Sequence, residues 1–560
     1  MPSCSQCSVS FTISEYDKKF YTQFISCPQK TIIPQPEACP DCRRQRRLAF
    51  RNESNLYQRK CDLCKKEIIS IYSAKKEFPV YCSSCFWSDQ WTPFTYGKEF
   101  DFFRPFFEQF KELFDAVPKL SLILADNENS EYNNSCANLK NCYLCFDGGF
   151  AQDCYYGETF DYVRNCVNFL CLQHCELCFA CINCSNCYHL FYSHFCQNCS
   201  DSYFLLDCIG CKNCFGCANL KQKEYCWFNE QLTKEEFEMR SAKLEMGSFK
   251  AVEEMHQKVL EFWRSQPKRA YRGNMSENVT GDNINNCTNS FANFDCNNLQ
   301  DCNYCNQVVL PAKDCQDIDK WGDNIELCYN SSGVGNGGQN VIASYYSAFN
   351  ASNIFHSAYC WFSCSNLFGC VGLNRQKQYC ILNKQYSQEA YEKLIKQIIE
   401  HMQISKEWTE FFPPQLSAFG YNESVAQEYY PLNKDQALAQ GFKWSDEEQN
   451  LALPHNSQSA ANLADNIKDV TDDILNTAVI CKETQKLFRI TKAELQFYRA
   501  HNIPLPRTHP KIRNAFLKAQ KNPRKLWQRR CDKCGQEISS SYSPNRKELV
   551  YCEKCYTAEF

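Results

Sequence analysis

The chain has 560 residues, enough for three or more domains and for cores that need no covalent staples. Its net charge of -3 hides an uneven spread: residues 40–66 carry nine Lys/Arg against three Asp/Glu, and residues 507–533 carry ten against one. No run of eighteen apolar residues occurs, which excludes a membrane-spanning helix. The opening "MPSCSQCSVSF" has no basic leader and no apolar run. An intracellular, reducing setting (cytoplasm, or a virus particle) is therefore expected, where cysteines serve as zinc ligands or buried thiols rather than disulfides.

The 42 cysteines fall into four groups: nine in 1–92, eighteen in 136–226, ten in 287–380 and five after 480. Residues 1–58 read as a treble-clef-like zinc module. Cys4 and Cys7 form one knuckle, and Cys39 and Cys42 open the basic helix "CPDCRRQRRLAFR". Cys27 lies in the loop between them as a spare thiol. Residues 59–98 read as a zinc ribbon: Cys61-x2-Cys64, seventeen residues with a hairpin pattern, then Cys82-x2-Cys85. Two knuckles brought together by a hairpin make a closed tetrahedral Cys4 site, which holds structure and leaves no position for water. Residues 99–130 contain "FDFFRPFFEQFKELF". After Pro105, a helix would place Phe103, Phe106, Phe107, Phe110 and Phe114 on one face, as a cap for an open solenoid end.

Residues 131–231 form a first cysteine-rich block. Every third residue from Cys136 to Leu220 is small or apolar, with no charged or amide side chain in 29 positions. Seventeen of the eighteen cysteines keep this phase, and only Cys171 breaks it. A three-step suits neither an α-helix nor a plain strand; it predicts a tightly wound β-solenoid with a continuous buried stripe. Cysteines recur twelve apart (142, 154, 166, 178; 184, 196, 208), so twelve residues per coil is the preferred reading. Coils of eighteen or more are the alternative where Phe160 and Phe169 need room. Asn or Asp often precedes the cysteine, as at Asn141, Asp153, Asn186 and Asp207, and tolerates turn geometry. The stripe is read as a wall of space-filling thiols; disulfides across a coil and a thiolate-metal array are the alternatives.

The block recurs in 276–385. Ile284, Cys287, Ser290, Asn293, Cys296, Leu299, Cys302, Cys305 and Val308 keep the step. After an irregular stretch, Ala343, Tyr346, Phe349, Ser352, Phe355, Ala358, Trp361, Cys364, Leu367, Cys370 and Leu373 resume it. "SSGVGNGGQN" (331–340) lacks a phosphate-loop lysine and reads as an insertion loop. Both blocks end alike, in "FGCANLKQKEYCWFNEQLTKEEF" and "FGCVGLNRQKQYCILNKQYSQEAY", followed by helical segments at 232–275 and 386–411. Thr233 and Glu236 make a capping box. This is an internal duplication. Residues 412–478 read as a partly ordered connector.

The chain closes on a worn copy of its start. In 479–526 Cys481 falls on Cys4, Phe488 on Phe11, Phe497-Tyr498 on Phe20-Tyr21 and His509 on Cys39, while Thr484 and Ile512 replace Cys7 and Cys42. Two ligands cannot close a tetrahedron, so this treble-clef-like module keeps the fold without the metal. Residues 527–560 repeat the ribbon with Cys531, Cys534, Cys552 and Cys555 at the same spacing. Three structural zinc ions are expected. The fold class is thus multidomain and β-rich, with treble-clef and zinc-ribbon modules at both ends flanking two cysteine-rich β-solenoid blocks, each followed by helices.

No catalytic constellation stands out, and a non-enzymatic role is expected. His174, His189 and His194 lie among the thiols and read as outward-facing side chains. Arg43, Arg44, Arg46, Arg47 and Arg51 would project from the first treble-clef helix. Arg513, Lys518, Arg524, Lys525, Arg529 and Arg530 form the matching cluster near the other end. Such clusters neutralise phosphates, and Tyr57 and Trp527 are placed to stack on bases, so nucleic acid (RNA or DNA) is the expected partner. The alternative is a structural scaffold that docks protein partners or packs into a large particle.

The residues Cys4, Cys7, Phe11, Glu15, Phe20, Tyr21, Pro36, Cys39, Cys42 and Arg43 follow the pattern CxxC, aromatic, E-x(4)-FY, P-x-x-C-x-x-CR. They resemble probable zinc-ribbon domains, with a longer loop before Pro36. Together with "RNESNLYQRKCDLC", "WSDQWTPFTYGKEFDFFRPFFEQFKEL" and "FRITKAELQFYRAHNIPLPRTHP", the chain is similar to an uncharacterised multi-zinc-ribbon family of small-genome bacteria and large DNA viruses. The resemblance implies zinc-bound terminal modules and brings no established activity.

Overall fold

The computed structural model describes residues 1–23, 33–446 and 454–560. Cys27 lies outside them. Eight helices of eight or more residues occur among the described residues: α1 (Glu15–Gln23), α2 (Pro40–Leu48), α3 (Phe106–Ala116), α4 (Lys234–Ser241), α5 (Phe249–Ser265), α6 (Gln388–Ile404), α7 (Lys492–Ala500) and α8 (Pro510–Ala519). None is long and apolar enough to cross a membrane.

Two parallel β-solenoid blocks form the body. In the first, every parallel pairing joins a residue to the one twelve further on, for example Cys136 to Gly148, Gly148 to Phe160 and Phe160 to Leu172. The backbone explains the three-step. Every third residue from Ser135 to Phe228 has a positive φ. Each triplet is one short side, one left-handed corner and one inward residue, and four triplets close a coil. Asn and Asp precede cysteine because they tolerate the left-handed corner best.

Bulky corners also occur, at a cost of about 1 kcal/mol or more each, and stacking between coils offsets it. Phe150 and Tyr162 lie 4.5 Å apart at 2°, Tyr162 and His174 5.0 Å apart at 7°. Asparagine corners form ladders instead: Asn129 donates to Asn141 (3.0 Å), and Asn141 to Asp153 (2.9 Å).

The coil stays at twelve residues around Phe160 and Phe169. A glycine one coil earlier makes the room. A Cβ on Gly148 would sit 2.7 Å from the Phe160 ring, and one on Gly157 2.1 Å from the Phe169 ring. The longer coils considered above do not form. The cysteines other than Cys171 point inward and are buried. Each inward thiol also lies in weak hydrogen-bond reach of the carbonyl two residues back, and most reach the one nine ahead as well: Cys136 to Asn134 (3.2 Å) and Cys145 (3.5 Å), Cys184 to Ile182 (3.4 Å) and Ser193 (3.5 Å). Every described cysteine is a free thiol.

The second block begins with an offset of eleven residues (Gly273 to Ile284, Glu277 to Thr288), passes to twelve after an irregularity at 279–281 (Ile284 to Cys296) and then switches to thirteen (Leu299 to Ala312, Cys328 to Val341, Leu367 to Cys380). From residue 323 on, the extra residue sits at one corner, where two successive residues are left-handed: Asp323-Asn324, Asn336-Gly337, Phe349-Asn350, Phe362-Ser363 and Arg375-Gln376. The inward phase therefore slips by one residue per coil. Val341, Ser344, Ser347, Ala351, Ile354, Ser357 and Cys360 are all fully buried. This corrects the second inward series: Ala343, Tyr346 and Phe349 are corners, while Ser352, Phe355, Ala358 and Trp361 lie on outer sides of the coil. The expected series and the observed one coincide again only from Cys364 to Leu373. The glycine-rich segment 331–340 is no insertion. It continues the strand Ile325–Gly335 and turns into Gln339–Ile342, with Gly333 beneath Tyr346 and Gly335 beneath Trp321.

Both blocks close on an antiparallel hairpin, Cys226–Trp227 with Glu230–Gln231 and Gln378–Ile381 with Lys384–Gln385. A capped helix follows each: α4 behind the Thr233/Glu236 capping box and α6 behind Ser387. The α3 helix does not cover an open end. It lies along the flank of the second block, with Phe106 against His356 and Phe368 and Phe110 stacked on Phe412, while Phe103 is 99% exposed.

The blocks lie side by side and run in opposite directions. Ser135 meets Tyr346, Asp147 meets Lys320, Thr159 meets Gln307, Asn183 meets Asp295, and Asp207 meets Arg272. These first-block contacts belong to one column of corners, twelve residues apart. Cys171 occupies the same column, beside Lys521, which accounts for its broken phase. The described residues of 412–478 are ordered as short turns and helices; Tyr421, Ala426 and Phe442 form a small core with Leu48 and Ala49.

Candidate metal centres and the basic clusters

The twelve predicted ligands gather into three sets: Cys4/Cys7/Cys39/Cys42, Cys61/Cys64/Cys82/Cys85 and Cys531/Cys534/Cys552/Cys555, with the sulfurs of each within 4.8 Å of one another. They are the sets of three or more potential ligands found among the described residues. Each is built alike. A knuckle turns on a left-handed residue four after the first cysteine, at Ser8, Lys65 and Gly535. The third cysteine is the N-cap of a helix, at Cys39, Cys82 and Cys552. Its backbone N–H donates to the first sulfur: Cys39 to Cys4 (3.2 Å), Cys82 to Cys61 (3.3 Å) and Cys552 to Cys531 (3.2 Å).

The sulfur spacing fits a zinc ion. Four thiolates at about 2.3 Å in a tetrahedron stand about 3.8 Å apart. Cys7 and Cys39 are 3.8 Å apart, Cys64 and Cys82 3.8 Å, and Cys534 and Cys552 3.7 Å. The electrostatics agree. Burial opposes ionisation of Cys61, but the amides of Cys82, Cys64 and Leu63 outweigh it and hold the thiol at about 6. Cys531 is likewise held at about 6. The hydrogen bond from Cys42 brings Cys39 to about 5. Conversely, burial and the neighbouring thiols push Cys85 up to about 12. A divalent cation would draw off that remaining proton.

The module at 479–526 keeps this frame. Gln485 is left-handed like Ser8, His509 caps α8, and the His509 amide donates to the Cys481 sulfur at 3.2 Å. Its other two ligand positions hold Thr484 and Ile512.

The basic residues are placed very differently from the expectation. Nine of the eleven make ion pairs within the chain. On α2, Arg43 pairs with Asp317 (2.6 Å) and Arg44 with Asp319 (3.4 Å). Arg46 pairs with Glu410 (2.7 Å), and Arg47, 0% exposed, with Asp319 (2.6 Å) and Asp317 (3.4 Å). Arg51 pairs with Glu53 (2.7 Å). Burial works against the charges of Arg43 and Arg47, and the carboxylates of the second block outweigh it and hold both firmly protonated. Burial likewise opposes the Glu53 carboxylate, but Arg51 and Lys320 hold it down at about 2.

Near the other end, Arg513 pairs with Glu494 (3.4 Å), Lys518 with Glu158 (2.7 Å) and Glu428 (2.6 Å), Arg524 with Asp295 (2.9 Å) and Arg529 with Asp532 (2.9 Å). Lys525, over the Trp527 ring at 5.6 Å, and Arg530 are exposed. Tyr57 donates to Glu423 (2.6 Å). Among the histidines, His174 stacks on Tyr162 and Nδ1 of His189 contacts Asp201 (3.2 Å). His194 is buried against Trp263, and burial takes it to about 4.

These pairings run crosswise. The first treble-clef-like module sits on the second block; besides its arginines, Asp17 accepts from Asn303 and Tyr304, and Tyr21 from Gln316. Its worn copy sits mainly on the first block, with Tyr156 donating to Glu494 and Lys518 paired to Glu158, while its Arg524 reaches Asp295 of the second. Asp17 and Glu494 hold the same place in the two modules, as do Tyr21 and Tyr498. The solenoid carboxylates that receive the arginines carried no signal in the sequence. Nor did Lys119 and Lys268, both buried at the start of a block, which burial lowers to about 7 and about 8.

No protein-family model matches the chain, and no curated protein matches it. Among solved structures, one described as "putative acetyltransferase from Desulfovibrio desulfuricans G20" is 8% identical over 45% of this chain and 63% of that one, with a TM-score of 0.10. The match thus spans less than two thirds of that chain, and at this TM-score it bears on neither fold nor activity.

Proposed function

We propose that the chain is a non-enzymatic scaffold protein: two solenoid blocks, clamped by zinc-structured modules, whose outer faces dock protein partners or pack into a larger particle. The main support is the use made of the basic clusters. Arginines that would have to face phosphates are instead inserted among Asp317, Asp319 and Asp295 of the second block. A buried pair of this kind gives rigidity and register, and it leaves little charge for a polyanion. Three closed Cys4 sites add structural metal, consistent with the resemblance to multi-zinc-ribbon proteins.

The nucleic-acid reading rests on Lys525, Arg530 and the half-buried Trp527. A binding titration with single-stranded and duplex nucleic acid separates the two. Phosphate contacts would show as affinity that falls steeply between about 50 and about 200 mM salt. The scaffold reading expects no such binding, and expects stoichiometric co-purification with a protein assembly that survives high salt. Tight, salt-sensitive nucleic-acid binding lost on changing Lys525 and Arg530 would overturn it.

A further inference from the structure

The two zinc ribbons hold the same place on the two blocks. In the first, Val80–Tyr81 pairs in parallel with Lys119–Leu120, directly before the first coil. In the second, Val550–Tyr551 pairs with Lys268–Arg269. The hydrogen bonds match one for one. Lys119 N–H donates to Pro79 (2.9 Å) and Ser121 N–H to Tyr81 (2.9 Å); Lys268 N–H donates to Leu549 (2.7 Å) and Ala270 N–H to Tyr551 (2.9 Å). Ser70 Oγ donates to the Ser121 carbonyl (3.2 Å), and Ser540 Oγ to that of Ala270 (2.6 Å).

The docking strand in each ribbon runs directly into a ligand, Cys82 or Cys552. It is also pinned to the other knuckle: Asp62 accepts from Val80 N–H, and Asp532 from Val550 N–H, both at 2.7 Å. The metal set and these bonds to Asp62 or Asp532 thus together hold the strand. Among the described residues, the first Cys4 set (4–42) makes no such strand pairing.

We propose that each ribbon is a metal-held clamp on the strand leading into a block, so that loss of zinc from one ribbon frees that entry strand, Lys119–Leu120 or Lys268–Arg269, and leaves the other held. This rests on the reading of the Cys4 sets as zinc sites. A strand so freed presents unpaired N–H and C=O groups, ready for strand addition.

Hydrogen exchange on the full chain, with metal analysis of the same samples, tests it. Chelation should speed exchange of the Lys119, Ser121, Lys268 and Ala270 amides by about tenfold or more, with the coils at 166–178 still protected. C85S should do so only at 119 and 121, C555S only at 268 and 270, and C42S at neither. S540A, with every ligand intact, should speed exchange at 270 while three zinc ions remain bound. Zinc lost without faster exchange at these amides would overturn the proposal, as would exchange rising evenly through both blocks. Protein that binds no zinc at all would instead overturn the metal reading beneath it.

Discussion

The two blocks share a three-residue step but differ by one residue per coil, and their cores differ accordingly. The first, at twelve residues, holds seventeen inward cysteines and fits an aromatic ring inside only opposite a glycine, as Phe160 over Gly148 and Phe169 over Gly157. The second, mostly at thirteen, holds ten cysteines and carries more branched side chains inside, among them Ile325, Val334, Val341, Ile354, Leu367 and Leu373. The added residue enlarges the section, and branched side chains are commoner inside it, while the buried first core has only Leu139, Val163, Leu172, Leu190 and Leu205 as branched side chains beside its cysteines and two phenylalanines. Cysteine abundance is thus a measure of coil width: the thiol is the side chain that fills a twelve-residue coil while still satisfying carbonyls.

The largest expected effect follows from that thiol density. Burial raises the folded-state pKa of Cys154, Cys166, Cys181, Cys196 and Cys208 in the first block well above the ordinary range, with Cys296, Cys302 and Cys360 alike in the second. A raised acid group stabilises below its unfolded pKa, about 8.5 for a thiol, and the contribution drains as pH rises. Each such thiol removes about 1.4 kcal/mol per pH unit above that point. In reductant, the chain should lose β circular dichroism in a steep transition above about pH 9, with the first block leading by hydrogen exchange. Equal alkaline sensitivity of both blocks would break the comparison.

Next is R47A, which leaves Asp319 buried without its main partner. It should destabilise the second block by about 3–5 kcal/mol and leave any nucleic-acid affinity unchanged. Chemical denaturation gives the first quantity and a binding titration the second. Then C208L in the first block should cost about 1–3 kcal/mol by overpacking, and C360L in the wider second block less. A reversed order would argue against coil width as the cause. Smallest is Y162A, which removes one member of the Phe150–Tyr162–His174 stack and should cost about 1 kcal/mol, read as a shift in the denaturation midpoint.

Much of this was legible in the sequence, and the limits are physical. The Cys4 spacings, the worn fourth module, the duplication and the twelve-residue coil are local patterns, visible because ligands and inward residues recur at fixed intervals. The slip in the second block was not visible. With thirteen residues per coil, the three-step is rephased at each doubled corner, and a fixed frame lands on corners such as Tyr346. The α3 face was recognisable as buried, but its partner, the flank around His356 and Phe368, lies about 250 residues away. The basic helix misled for the same reason. Arg43 and Arg47 look like solvated charge until Asp317 and Asp319, some 270 residues on, are folded against them.

The most direct test of the division between metal-holding sulfur at the ends and space-filling sulfur in the blocks is metal analysis combined with a thiol count on the native, reduced chain. Three zinc ions per chain are expected. The other thirty thiols should be free of metal and of disulfide, those of the blocks modifiable only after unfolding. Metal well in excess of three that stays bound when the terminal ligands are changed to serine, or thiols already joined in pairs, would contradict the account.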